Sequence, residues 1–320
     1  MQIERFNLYP YTLAMHNNGV RHGVQINVID KNGNCTWGDI APLPKWSGES
    51  LEEACRCLRE KESQIVAINW TVQNCFQELK NLNLLPSALF GLESAILSQV
   101  APLPKVIVYS CALLMGSSTE ILAQAQLRLS QGFTCAKLKV GHLDCSEALV
   151  LIEKLKSKFR LRIDVNRAWS TKNALRFFSQ FPTDTFDYVE EPFANPYDLA
   201  QFTHPLAVDE SFPADLSLAE LAQLPTLKAL IYKPTIQGGM TNCLPLLQWA
   251  HHKDISLILS SSFESDLGLA HIATMAQRLG IVEHLGIGTY HFLKEYLCDN
   301  SLCLSKASIS FKSPIIPRQV

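Results

Sequence analysis

The sequence predicts an α/β protein, a TIM-type (β/α) barrel preceded by a small α+β domain. Three observations predict it. Residues 1–103 are patterned differently from the rest, short apolar strands alternate with helices about eight times from residue 104 onward, and charged side chains recur at the ends of those strands. The 320 residues are 47% hydrophobic and carry a formal charge of −2, so the chain can bury a large core and has no electrostatic bias toward nucleic acid. Met1-Gln2-Ile3-Glu4-Arg5 runs directly into strand-like sequence and no later run approaches a membrane span, so a soluble, cytoplasmic protein without a membrane partner is expected. The oligomeric state stays open. Ten cysteines are scattered without a Cys-x-x-Cys, which reads as reduced thiols packed as small apolar groups. Nine histidines show no zinc spacing, and His251-His252 falls near a helix end.

In the first domain, residues 3–13 and 24–30 alternate in the strand manner about the turn-rich His16-Asn17-Asn18-Gly19, and residues 35–40 add a third strand after Asn32-Gly33. An antiparallel meander follows. Beyond Pro42-Leu43-Pro44, residues 50–63 and 86–99 have helical periodicity, the second run opening on a first-turn proline. In the barrel domain, 104–297, the expected strands are 106–109, 135–140, 161–165, 188–190, 207–209, 229–233, 256–259 and 281–285. Helical stretches at 117–130, 146–158, 171–180, 216–223, 240–251 and 267–279 separate most of them. No glycine-rich phosphate fingerprint follows the first strand, which weighs against a dinucleotide-binding sheet. The tail, 298–320, is short of helix signals and is expected to pack back on the N-terminal domain.

Chemistry enters with Lys137 and Lys139, which share one strand face with Cys135 opposite Ala136, Leu138 and Val140. Two buried ammonium groups are costly unless carboxylates or a metal-bound anion meet them, so the pair predicts a charged pocket. A lysine near other cations also loses proton affinity and becomes a usable base near neutral pH. Taken alone, the run reads more readily as a solvated edge strand. The following strand ends change that reading: Arg162-Ile163-Asp164-Val165-Asn166, Val189-Glu190-Glu191-Pro192, Val208-Asp209-Glu210-Ser211 and Ile231-Tyr232-Lys233-Pro234-Thr235. Alternation turns Arg162, Asp164 and Asn166 inward, and the steps from Asp164 to Glu190, Asp209 and Lys233 are 26, 19 and 24 residues, each near one βα unit. Three acidic groups on successive strands suit a hard octahedral cation such as Mg²⁺, and no thiolate or imidazole stands at these positions to favour zinc. Singly, a strand-end aspartate reads as a helix cap, Glu-Glu-Pro as a loop entry and Lys233 as a surface residue. Capping accounts for no lysines.

The order Lys137-Leu138-Lys139, Asp164-Val165-Asn166, Glu190-Glu191-Pro192, Asp209-Glu210-Ser211, Lys233-Pro234-Thr235 resembles the muconate-lactonizing subgroup of the enolase superfamily. Trp37-Gly38-Asp39-Ile40-Ala41-Pro42-Leu43-Pro44, Pro86-Ser87-Ala88-Leu89-Phe90-Gly91, Asn166-Arg167-Ala168-Trp169 and Ser260-Ser261-Ser262-Phe263-Glu264-Ser265 narrow the resemblance to the o-succinylbenzoate synthase family, over residues 35 to 290. The resemblance implies that the first domain caps the barrel and that Asp164, Glu190 and Asp209 bind Mg²⁺, with Mn²⁺ as a substitute. That ion would hold the carboxylate of a small-molecule substrate and stabilise the enediolate formed when the α-proton leaves. Lys139 would be the base, Lys233 would stabilise the intermediate from the opposite side, and Lys137 would tune Lys139. The implied reaction is dehydration of 2-succinyl-6-hydroxy-2,4-cyclohexadiene-1-carboxylate to 2-succinylbenzoate, a step of menaquinone biosynthesis. Arg162, Asn166 and Glu210 are expected around the ligands or substrate, Ser261, Ser262 and Gly286 near the succinyl group, and Arg21 and Trp46 at the mouth, in the 16–23 turn and the 42–48 loop. An N-acylamino acid racemase or dipeptide epimerase could use Lys139 and Lys233 as two bases, although Gly286-Ile287-Gly288 lacks the Asp-x-Asp with which dipeptide epimerases hold an ammonium. A non-catalytic barrel that only binds a ligand is the reading from another class, and so many mutually costly charges count against it.

Overall fold

The computed structural model describes residues 1–16, 19–298, 303–305 and 307–312. Strands β1 (Ile3–Ala14), β2 (Val20–Asp30) and β3 (Cys35–Ile40) form an antiparallel sheet in that order, the meander the sequence predicts. Asp30 shapes the β2–β3 turn by accepting the N–H groups of Asn32 and Asn34, each at 2.9 Å, while Gly33 takes the left-handed conformation there. Helices α1 (Leu51–Glu60), α2 (Glu62–Ala67), α3 (Cys75–Leu82) and α4 (Pro86–Val100) complete this half. A Ser50/Glu53 capping box starts α1 and Pro86 starts α4. Ile26, Leu58, Trp70 and Leu92 are fully buried in the core between them. A Cβ on Gly38 would lie 1.9 Å from the Gly91 carbonyl oxygen, so β3 and α4 meet backbone to backbone.

The second half begins with β4 (Lys105–Tyr109), followed by β5 (Ala112–Leu114), α5 (Ser118–Ser130), β6 (Cys135–Lys139), α6 (Cys145–Leu155), β7 (Arg160–Asp164), α7 (Thr171–Phe178), β8 (Tyr188–Glu190) and β9 (Leu206–Val208). It continues with α8 (Leu218–Leu221), β10 (Leu227–Tyr232), α9 (Pro234–Gln237), α10 (Gly239–His252), β11 (Ser256–Leu259), α11 (Asp266–Leu279), β12 (Cys303–Ser305) and β13 (Ser308–Lys312). Strands β5 to β11 form a parallel sheet in chain order. Leu285 and Gly286 hold the eighth position through parallel bridges to Ser110 and Ser260, joining the two edges of the sheet. The predicted fold class is the observed one.

Two details differ from the sequence reading. Residues 106–109 are not the first barrel strand: β4 pairs antiparallel with β13, and the first barrel strand is β5. The reason is burial, since β4 alternates, with Ile107 and Tyr109 exposed, whereas the barrel strand β8 is buried at every residue. The described part of the 298–320 tail accordingly pairs along β4 rather than with the N-terminal sheet. The rest of that tail, and residues 17–18 of the predicted 16–23 turn, lie outside the described residues.

Buried polar contacts join the two halves. Asp39 at the end of β3 accepts the Tyr11 hydroxyl at 2.8 Å and the hydroxyl of Ser265, which caps α11, at 2.7 Å, while burial pushes its carboxyl up to about 6. Glu93 on α4 accepts the N–H groups of Met240 and Thr241 at 2.9 and 3.0 Å, at the start of α10, and burial pushes it up to about 8. Replacing Glu93 with Ala is expected to cost about 2–3 kcal/mol by leaving those two N–H groups unmet. Glu93→Gln should keep an acceptor and remove the titration. The folded carboxyl ionises near 8 against an ordinary value of 4.5, so wild-type stability relative to Glu93→Gln is expected to fall as pH rises from about 5 to about 9. Denaturant melts of both variants across that range check the magnitude and the sign.

Candidate active site

Parallel register decides which charged groups meet. Lys139 pairs with Asp164 and Asp164 with Glu190 across β6, β7 and β8, with Lys137, Arg162 and Tyr188 in the row below. Asp209 follows the last residue of β9 and Lys233 the last residue of β10. Lys137 Nζ lies 3.0 and 3.1 Å from the two oxygens of Glu190 and 3.2 Å from Asp164 Oδ2. Lys139 Nζ lies 3.0 Å from the same Asp164 oxygen and donates to Asn166 Oδ1 at 2.7 Å. Lys233 Nζ donates to Asp209 Oδ2 and stands 5.3 Å from the centre of the Trp46 ring.

Burial disfavours the charges of Lys137, Lys233, Asp164 and Glu190, and their neighbours decide the outcome. For Lys137, burial alone would lower proton affinity, but Glu190 and Asp164 outweigh it and hold the ammonium well above the usual lysine range. The charge of Lys137 is therefore matched by the carboxylates it contacts. Lys233 is likewise raised, by Asp209 against burial. Burial and the nearby Asp164 push Glu190 up to about 8, whereas Asp164 itself is lowered, the two lysines overcoming its burial. Glu191 accepts from Asp209 N, Ser211 N and Ser211 Oγ at 2.8, 2.9 and 2.5 Å, and burial still pushes it up to about 7. Glu210 is pushed up to about 7 by burial and by Asp209. Asp164, Glu190 and Asp209 thus meet the three lysines directly, with Glu191 and Glu210 beside Asp209.

These residues frame a cavity of about 250 Å³. Lys137, Lys139, Arg162, Asn166, Asp209 and Lys233 line it, as do Ser261, Ser262, Gly286 and Trp46. Asp164 and Glu190 are fully buried behind the lysines. Glu210 and Arg21 are placed otherwise, while Arg162 lines the cavity as expected. Arg162 touches none of the three strand-end carboxylates: it donates to Asp187 Oδ2 and the His284 carbonyl at 2.8 Å each and lies 4.8 Å from the centre of the Tyr188 ring. Glu210 faces a neighbouring cavity of about 720 Å³ that shares Trp46, Asp209 and Lys233. Arg21 lines neither cavity and is 5% exposed. Ser261 spends its hydroxyl on Gly286 O and Thr289 Oγ1 at 3.0 and 2.6 Å, whereas the buried hydroxyl of Ser262 has no hydrogen-bond partner among the described residues. A Cβ at Gly286 would stand 2.5 Å from Ser260 Oγ, so a larger residue there would have to displace the Ser260 hydroxyl. Leu113 and Met115 were not expected because the first barrel strand was expected too early, Phe263 lies within the Ser260–Ser265 run without having been given a role, and Thr289 follows directly on Gly286-Ile287-Gly288.

The donor set fits a hard divalent cation. Asp164, Glu190 and Asp209 are oxygen donors from three successive strand ends, with no thiolate or imidazole beside them among the residues that line the cavity except the Cys111 thiol. Asp164 Oδ2 has two ammonium groups nearby yet no aligned hydrogen bond. Among the described residues no three acidic, histidine or cysteine side chains are already gathered as a metal shell, because the lysines lie between the carboxylates. Removing the central ammonium is therefore expected to be severe. Lys137→Met should cost about 3–5 kcal/mol in metal-free buffer, by leaving Glu190 and Asp164 without it, and added Mg²⁺ should restore part of the loss; thermal melts with and without the cation read both effects.

A family model described as Enolase C-terminal domain-like matches residues 120–310, and one described as MenC, N-terminal domain matches residues 3–99. The chain is 32% identical over 258 residues to an o-succinylbenzoate synthase of Edwardsiella ictaluri, covering 78% of this chain and 76% of that one. It is 29% identical over 301 residues to an o-succinylbenzoate synthase of Pasteurella multocida, covering 86% of each. A solved mandelate racemase/muconate lactonizing protein from Herpetosiphon aurantiacus shares its fold with a TM-score of 0.86 at 18% identity, covering 100% of this chain and 99% of that one. The chain belongs to the enolase superfamily and, within its muconate-lactonizing subgroup, to the o-succinylbenzoate synthase family.

Proposed function

We propose that this protein is a Mg²⁺-dependent carbon–oxygen lyase that converts 2-succinyl-6-hydroxy-2,4-cyclohexadiene-1-carboxylate to 2-succinylbenzoate, in the cytoplasm and in menaquinone biosynthesis. Residues 1–103 would act as the capping domain and 104–297 as the barrel domain. The observation that carries the reading is the row Lys139, Asp164, Glu190, with Lys137 beneath it and Asp209 and Lys233 at the next strand ends, around one cavity. Asp164, Glu190 and Asp209 would hold the Mg²⁺, which when bound supplies a carboxylate anchor and positive charge against the negative charge of the transition state.

The chain's own groups do the proton work. Lys139 Nζ, steered by Asn166 Oδ1, takes the proton from the carbon next to the substrate carboxylate. The same ammonium then delivers that proton to the departing ring hydroxyl; the C–H and C–O bonds are broken, water leaves and the ring becomes aromatic. Lys233 faces the reacting carbon from β10 and Lys137 stays charged below, so developing negative charge meets ammonium groups on two sides. Leu43, Trp46, Met115 and Phe263 supply apolar cover that limits water.

A second reading has its own support: Lys139 and Lys233 both line the cavity, as a two-base racemase or epimerase would need. Gly286 and Gly288 tilt against an amino substrate, since neither offers a carboxylate for an ammonium group. An ultraviolet assay of dehydration, run with and without Mg²⁺ beside α-proton exchange of N-succinyl amino acids and dipeptides in D₂O, separates the two. Mg²⁺-dependent dehydration is expected, and exchange without dehydration would move the assignment to racemase. Lys139→Ala should lower turnover by about 10³-fold or more while Mg²⁺ binding is kept, whereas Asp209→Asn should weaken Mg²⁺ affinity. Unchanged turnover in Lys139→Ala would remove the proposed mechanism.

A further inference from the structure

We infer that Arg21 is a positioning residue that fixes two apolar walls of the reaction cavity at once, clamping the left-handed backbone of Phe263 to the loop that carries Leu43 and Trp46. The inference deepens the proposed function and rests on the cavity being the reaction site. Arg21 lies on β2 of the N-terminal half, nearly sealed from solvent, and forms no ion pair among the described residues. Its guanidinium is spent on carbonyls. Nε donates to Phe263 O at 3.0 Å, Nη1 to Pro42 O at 2.8 Å and to His22 O at 3.3 Å, and Nη2 to Ala41 O. A buried cation whose hydrogen bonds all go to backbone carbonyls, with the Asp39 and Glu264 carboxyls only near enough to feel its charge, is a costly way to tie one loop, and a planar fork that reaches two loops in different halves of the chain is what that side chain alone provides.

What it holds on the barrel side is strained. Phe263 has φ +60°, a conformation that bulky residues rarely adopt and that persists only where the surroundings dictate it. Three contacts dictate it here. Arg21 takes its carbonyl, the Glu264 carboxylate accepts the preceding Ser262 N–H at 2.6 Å, and its ring meets Phe292 edge-on with centres 5.7 Å apart. Phe292 is gripped by the same N-terminal hairpin, since its carbonyl accepts His16 N at 2.7 Å and Lys294 N donates to Ala14 O at 3.1 Å. On the other side, Ala41 and Pro42 lead directly into Leu43 and Trp46, which line the cavity with Phe263. Acid–base groups are untouched by this clamp, so its loss should be felt in how well the cavity receives its ligand.

The test is a double-mutant cycle with Arg21→Met and Phe263→Ala, with Arg21→Lys as the second variant. Arg21→Met is expected to raise KM for the cyclohexadiene acid by on the order of tenfold while kcat changes by less than about threefold, and to weaken 2-succinylbenzoate binding in calorimetry to a similar degree. The combined variant should lose little more than the worse single one, and Arg21→Lys should not restore KM, because one ammonium cannot span the two loops. Amide hydrogen exchange at residues 43–47 and 261–265 should accelerate together in Arg21→Met. Losses that multiply independently, a fall confined to kcat, or exchange that changes in neither segment or only one of them would overturn the clamp. If the wild-type protein fails to dehydrate the acid, the functional reading falls, and hydrogen exchange then decides the clamp by itself. Should Arg21→Met fail to fold, Arg21→Lys carries the same cycle.

Discussion

The burial of opposed carboxyl and ammonium groups side by side at the barrel strand ends is the constraint on which this structure depends. Five carboxyl groups cluster at the ends of β7, β8 and β9, and the chain answers them with Lys137, Lys139 and Lys233. None of these charges would be retained for stability, since a buried ion pair repays its desolvation poorly and an apolar substitute often does as well. Their joint presence makes sense as a site completed by a divalent cation. Lys137 and Lys233 then have two duties, neutralising the carboxylates in the folded chain and presenting ammonium groups to a substrate carboxylate, while Lys139 serves as the proposed base.

The two halves of the chain cooperate around that cluster through buried polar contacts rather than through a broad apolar seam alone. Asp39 reaches the cap of α11, Glu93 meets the start of α10, and Arg21 reaches the loop after β11. Each joins the N-terminal half to a segment at or after a barrel strand end. The cavity is consequently walled from both sides: Leu43 and Trp46 come from one half, and Met115 and Phe263 from the other. Burial around Asp39 and Glu93 raises both carboxyls, so the junction that covers the site is also where protonation bears on stability.

Much of this was legible in the sequence, for identifiable reasons. A period of two puts Lys137 and Lys139 on one face, and steps near one βα unit bring Asp164, Glu190 and Asp209 to equivalent heights, so local pattern and fold class together locate the cluster. Long-range pairing was not legible. Residues 106–109 and 112–114 are both short and apolar, and only the return of β13 along β4 decides that the second of them enters the barrel. The eighth strand shrinks to Leu285 and Gly286, too short for any periodicity to show. Arg21 read as a contact at the mouth because its position on the hairpin was visible, whereas its bond to the Phe263 carbonyl spans more than two hundred positions while the same guanidinium also holds Ala41 and Pro42. The left-handed backbone at Phe263 has no composition signal, since glycine or asparagine would ordinarily mark it.

Diffraction from crystals soaked in Mn²⁺, recorded at its absorption edge, tests the central claim most directly, because the anomalous signal reports where the cation lies without reference to any reaction. The account predicts one strong peak bounded by the carboxylate oxygens of Asp164, Glu190 and Asp209, with Lys137 and Lys233 drawn off the oxygens they contact in this structure. A peak elsewhere, or a saturating soak that leaves all three lysine–carboxylate pairs intact with no cation among them, would contradict it.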